Sequence, residues 1–251
     1  MANPIPLSKA REAFAELGAI AHAGKEADEM TLARCARAAR ASLPNDPISA
    51  YQVFGVIASF RWNVSELTDN FRLALQAGGS ASVNGNFARA LADINRYKEA
   101  ADQYAAAANR EPENLSWLRM AGAFYYSVGD WERVKTIYEK LSKRADDVGE
   151  DMREIFEVVE GVEDFKIDLG TVRSTVDSAL SFLTSKRVRT AGFRQTLDKS
   201  VGDECLYVDI MVHADENRVR ELDEEFTPIL FDEVERPQLS SIVVSLEAYS
   251  S

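Results

Sequence analysis

The residues best equipped for chemistry lie in the last third of the chain. Asp203, Glu204 and Asp209 flank and enter the stretch ECLYVDIMVH, and Glu216, Glu221, Asp223, Glu224 and Glu225 crowd the segment after it. Clustered carboxylates of this kind can hold divalent metals or trade protons. A carboxylate nuclease also needs a nearby lysine, and this stretch has none, so the cluster reads as a solvated face. The chain has two histidines: His22 near a helix end in AIAHAGKEAD, and His213 closing a strand. Both read as structural or exposed side chains. Cys35 and Cys205 are far apart, with no CxxC partner and no neighbouring histidine. They read as buried free thiols of a reducing compartment, which makes cytoplasm the expected location. No GxxxxGK[ST], GxSxG, HExxH or glycine-rich phosphate loop occurs. The expectation is a non-enzymatic protein with no cofactor and no metal.

The positioning elements come next. With 251 residues, 46% hydrophobic and 28% charged, the chain is long enough for one large or two ordinary soluble domains. No apolar run approaches the roughly 18–20 residues needed to cross a bilayer, and the start MANPIPLSKAREAFAEL lacks a secretory layout. The net charge of −12 is unevenly spread. Residues 1–145 hold 18 Lys/Arg against 16 Asp/Glu, whereas residues 146–251 hold 11 against 25. That split predicts two modules, 1–160 and 161–251, the second acidic. An acidic surface argues against a nucleic-acid ligand, because phosphate binding depends on Lys and Arg.

The first module repeats itself. Ala88 and Gly122 lie 34 residues apart, as do Leu91 and Tyr125, Asn95 and Gly129, Tyr97 and Trp131, Ala100 and Val134, Tyr104 and Tyr138, and Ala107 and Leu141. Small residues at fixed positions let helices approach, and large ones fill the space between them. Asn95 and Gly129 fall where the first helix of each pair ends, and both types tolerate a left-handed cap. Pro112 ends the second helix. This pattern resembles the tetratricopeptide repeat, a helix–turn–helix unit, most clearly over residues 81–148. Weaker copies run upstream. Phe54, Gly55, Ala58, Leu67, Phe71 and Ala74 precede their counterparts by 33, with Asp46-Pro47 as cap and first helical residue. Leu32, Ala36 and Ala39 belong to an earlier helix, partnered by residues 7–24. Four helical pairs over 1–145 are predicted.

Periodicity changes after residue 160. VEDFKIDL alternates Phe165, Ile167 and Leu169 as a short strand, and Val172, Val176, Leu180 and Leu183 share a helical face. AGFRQTL reads as a strand and SVGD as a turn, with Leu206, Val208, Ile210 and Val212 alternating in the next strand. Asp215 caps a helix that Pro228 ends or kinks, and LSSIVVSLEAY supplies the last strand. The order β-α-β-β-α-β is similar in topology to the ferredoxin-like fold. In an alternative, 147–161 and 170–186 form one more helical pair and leave three strands. The fold class is α+β: a helical solenoid followed by a small acidic α+β module. The basic cluster KRVRTAGFR at 186–194 is expected to pair with carboxylates of the same chain.

The tetratricopeptide resemblance implies that first helices line a concave groove. That groove would show Ser82, Asn86, Arg89 and Asp93, then Arg119, Ala123 and Tyr126. Ser116 and Met120 stand where basic residues would build a clamp for chaperone tails, so that specialised clamp is not expected. In the second module, Tyr207, Asp209, Met211 and His213 form a sheet face left open by the helices. The expected function is a scaffold or adaptor that holds a segment of a partner protein, with no membrane and with a homodimer through the sheet as an option. Two other classes remain: an acidic inhibitor of a basic partner, and a small-ligand sensor or enzyme that uses the sheet.

Overall fold

Polar caps set where the helices begin. Ser8, Asp28, Asp46, Asn63, Asn114 and Asp168 each accept a backbone N–H one turn or less ahead, and Pro47 follows Asp46 at the first helical position. The computed structural model describes residues 8–144, 147–198, 205–233 and 241–249. In chain order the helices are α1 (Lys9–His22), α2 (Glu29–Ser42), α3 (Pro47–Phe60), α4 (Val64–Gln76), α5 (Ala81–Ala92) and α6 (Tyr97–Arg110). They continue with α7 (Leu115–Ser127), α8 (Trp131–Ser142), α9 (Glu150–Asp164) and α10 (Leu169–Ser185). Strands β1 (Thr190–Asp198) and β2 (Cys205–Val212), helix α11 (Glu216–Glu233) and strand β3 (Ile242–Ala248) complete the elements of the described residues.

Helices α3, α5, α7 and α9 begin at residues 47, 81, 115 and 150, so the repeat of the sequence is a repeat of the backbone. The turns repeat as well. Gly24, Trp62, Asn95, Gly129 and Lys166 all have φ between 55° and 67°, one in each turn from a first to a second helix. The residue after each bonds its N–H to the carbonyl five positions back, as Arg96 does to Leu91 and Asp130 to Tyr125. This is the Schellman closure, which satisfies carbonyls the helix end would otherwise leave open. Among the described residues there are therefore five such pairs, and α9–α10 is the fifth. The expected module boundary at 160/161 falls inside α9.

Small side chains bring the pairs together. Ala88 and Ala100 are completely buried, and the ring of Phe71 lies on Gly55, where an added Cβ would stand 2.6 Å from it. Phe71 in turn stacks on Phe87 with ring centres 4.9 Å apart, while Tyr138 stacks on Phe156 at 4.0 Å across the α8–α9 junction. The alanines bury little area each but permit these ring-to-backbone approaches. Both cysteines are buried and free.

The α+β class holds, but the second module differs from the ferredoxin-like expectation. The expected strand over Phe165, Ile167 and Leu169 is the αL turn of the fifth pair. Ile167 is the buried residue that follows the turn, and the Asp168 carboxylate accepts the Thr171 N–H at 2.8 Å to start α10. Three alternating apolar residues around a capped turn mimic a strand. With that strand missing, β2 pairs antiparallel with β1 and parallel with β3, in the order β1-β2-β3. In a ferredoxin-like sheet a further strand would separate β2 from β3. Helix α11 makes the crossover between these two strands and continues past Pro228, which does not end it. Leu206, Val208, Ile210 and Val212 are fully buried as their alternation predicts. The expected SVGD turn lies outside the described residues, as do Asp203 and Glu204. Among the described residues no helix is long and apolar enough to cross a membrane.

Candidate functional site

The first thing to occupy the face formed by the first helices is the chain itself. The Asn95 side chain, held out by its αL backbone, accepts from the Thr190 N–H at 3.0 Å and Oγ1 at 2.9 Å and donates to the Val188 carbonyl at 2.9 Å. Tyr97 meets Phe193 edge-on at 4.8 Å. Gln195 donates to the Tyr126 carbonyl at 2.9 Å. Arg189, with 5% of its side chain exposed, pairs with Glu26 at 2.9 Å and donates to the Asp93 carbonyl at 2.8 Å, its guanidinium lying over the rings of Phe60 and Trp62. The basic cluster 186–194 therefore does pair within the chain: Lys186 reaches Glu225, and Arg194 reaches Asp209 and Glu247.

Beside this docked strand a trough remains open. One cavity of about 170 Å³ runs between α1, α3 and α5, past Phe14, Val56 and Asn86. A second, of about 250 Å³, lies under the ends of β1 and β2. A third, of about 370 Å³, separates α7 from the start of α9, along Arg119, Ala123 and Ile155. The first two share Ala21, His22, Arg89 and Asp93, and the last two share Met120, which is 38% exposed.

The expected groove residues divide accordingly. Asn86, Arg89, Asp93, Arg119 and Ala123 line the trough. Asn86 also donates to Gln52 at 2.7 Å, one repeat away, and Arg119 donates to the carbonyls of Val148 and Asp147 at 3.1 and 3.2 Å. Ser82 is exposed at the start of α5, hydrogen-bonded to Ser80, and lines none of the three cavities. Tyr126 is buried beneath β1. It is not a groove-surface residue, because the sheet covers it.

The sheet-face set also splits. Tyr207 is 39% exposed beside Val243, its partner in register. Asp209 accepts from Arg194 at 2.9 Å and from Ser245 at 2.6 Å. Met211 is half-buried against Gly192. His213 leaves this face altogether. It sits past the end of β2, pressed on Gly24 and edge-on to Tyr249 at 5.3 Å, and lines the middle cavity. The fold thus brings His213 to Arg89 and Asp93, two residues taken from the other module.

Around the middle cavity the electrostatics are unusual for this acidic chain. Its lining holds Arg89, Arg189 and both histidines against one carboxyl, Asp93. Burial raises the Asp93 pKa above the ordinary carboxylate value, against the opposing pull of Arg89 and Arg189. Burial lowers the His213 pKa, helped by the same two guanidiniums. Burial also raises Tyr97 and Tyr104. His22, Arg189 and Tyr249 were not among the expected site residues. The one available signal was the basic cluster itself, whose arginine had to find a carboxylate. Among the described residues no group of three or more His, Cys, Asp or Glu is placed to hold a metal ion. No protein-family model, curated protein or solved structure matches the chain, so the functional reading rests on this geometry alone.

Proposed function

We propose that this protein is a non-catalytic interaction scaffold of tetratricopeptide type, whose concave trough holds an extended segment of a partner protein. The observation that supports the reading is the continuity of the three cavities, which share lining residues from Phe14 at one end to Ile155 at the other. A run of linked pockets suits successive side chains of one peptide, with a few anchors setting the affinity. Met120 is the natural central anchor: it is exposed, apolar and common to two cavities. The docked strand narrows the groove without filling it, and so sets the width of what enters. The acidity of the second module keeps nucleic acid away.

The test is selection from a random-peptide display library on the full chain, followed by binding to purified peptide. Enriched peptides are expected to lose about tenfold or more in affinity with Met120→Glu, or about 1.4 kcal/mol, while circular dichroism stays unchanged. Peptides that bind Met120→Glu as well as the parent chain would refute the trough as the binding surface.

A further inference from the structure

The middle cavity has a chemistry of its own. His22 and His213, the only histidines of the chain, stand 191 positions apart in sequence and converge on it. Its two guanidiniums differ in exposure. Arg189 is buried under two aromatic rings: Nε pairs with Glu26 and Nη1 donates to the Asp93 carbonyl, while its buried Nη2 has no hydrogen-bond partner among the described residues. Arg89 is half exposed: Nη2 lies 3.1 Å from His22 Nδ1, and Nε reaches Asp93 only at 3.4 Å. Its Nη1 has no protein partner among the described residues, and the residue lines the cavity.

The opposite wall is aromatic. Tyr97 stacks on Phe124 at 5.3 Å, and Tyr104 tilts against the same ring at 5.0 Å. The Met120 side chain borders them. Flat apolar surface of this kind takes a ring edge or face. At about 250 Å³ the space suits a single ring and is below the usual range for drug-sized ligands. The exposed guanidinium of Arg89 matches a carboxylate. The Asp93 carboxyl alongside it opposes a second negative charge, which disfavours dicarboxylates and phosphates.

We propose that this cavity binds a small aromatic monocarboxylate, with its carboxylate on Arg89 between the two imidazoles and its ring against Tyr97 and Phe124. The inference goes beyond the peptide reading and does not depend on it, since a one-ring acid and a selected peptide are measured separately.

Having only two histidines makes the test direct, because the chain gives two imidazole C2–H proton resonances. Benzoate is the probe, titrated into the full chain at neutral pH. Both resonances are expected to shift together and saturate. Acetate, which lacks the ring, and benzamide, which lacks the charge, are expected to act at least about tenfold more weakly. Arg89→Gln should abolish the benzoate response and Arg89→Lys should weaken it, while Arg37→Gln on an exposed part of α2 leaves it intact. Histidine resonances that stay still, or a response equal in Arg89→Gln, would overturn the proposal. Equal responses to benzoate and acetate would overturn its aromatic part.

Discussion

Two turns placed 34 residues apart show how a repeat carries a fold that does not itself repeat. At the end of α5, Asn95 has φ 62°, and at the end of α7, Gly129 has φ 67°. Both close with the same backbone hydrogen bond. Yet the Asn95 side chain binds Thr190 and Val188, whereas Gly129 has no side chain and packs its backbone close to Val172 and Arg173. Backbone geometry is common to the pairs; the side chain at the shared position decides what else the turn holds. Asn95 anchors the sheet, and Gly129 makes room for α10.

Three substitutions sharpen that contrast. Asn95→Gly keeps the left-handed turn and removes the anchor, leaving the buried Thr190 N–H without its acceptor. Stability is expected to fall by about 1–3 kcal/mol in chemical denaturation, with faster amide exchange at Thr190 and unchanged exchange in α3 and α4. Gly129→Ala does the reverse. Its Cβ would stand 3.3 Å from Val172 in an unfavourable backbone region, costing roughly 1–2 kcal/mol and leaving exchange at Thr190 unaltered.

The smallest effect has the opposite sign. Asp93 follows α5 just ahead of the Asn95 turn, and its folded pKa is raised, mainly by burial. A raised folded pKa means that its stabilising contribution is complete below the unfolded carboxylate value and is lost as pH rises through the folded one. Asp93→Asn should therefore raise the melting temperature at pH 7–8, with the gain shrinking on acidification. A gain of about 1 kcal/mol corresponds to roughly 2–4 °C in a chain of this size. A melting temperature that drops at pH 8 would show that the Arg89 pairing outweighs the burial.

What could be read in advance follows the same division. Helix pairs, caps and αL turns are local, so Asn95, Gly129, Asp46-Pro47 and the buried alanines were legible from spacing and type. The alternation of Leu206 to Val212 was equally local and equally clear. The first expected strand failed because Phe165, Ile167 and Leu169 straddle a turn that a period of two imitates. The parallel pairing of β2 with β3 depends on which strand is absent, information that no short window contains. The site divides likewise: Asn86, Arg89 and Asp93 follow from the repeat, whereas His22, Arg189 and Tyr249 arrive only through contacts across the whole chain. His213 was visible as a residue but was assigned to the wrong surface, because its strand ends before it and the chain turns toward Gly24.

The docking of β1 onto the helices also has a practical meaning for anyone dividing this molecule. A fragment stopped ahead of Val188 would bare Tyr97 and Tyr126 together, and would leave the Asn95 side-chain carbonyl oxygen without the Thr190 donors it accepts from. Such a piece would present a sticky artificial surface just where a partner is sought, so binding measured on it would report the cut rather than the protein.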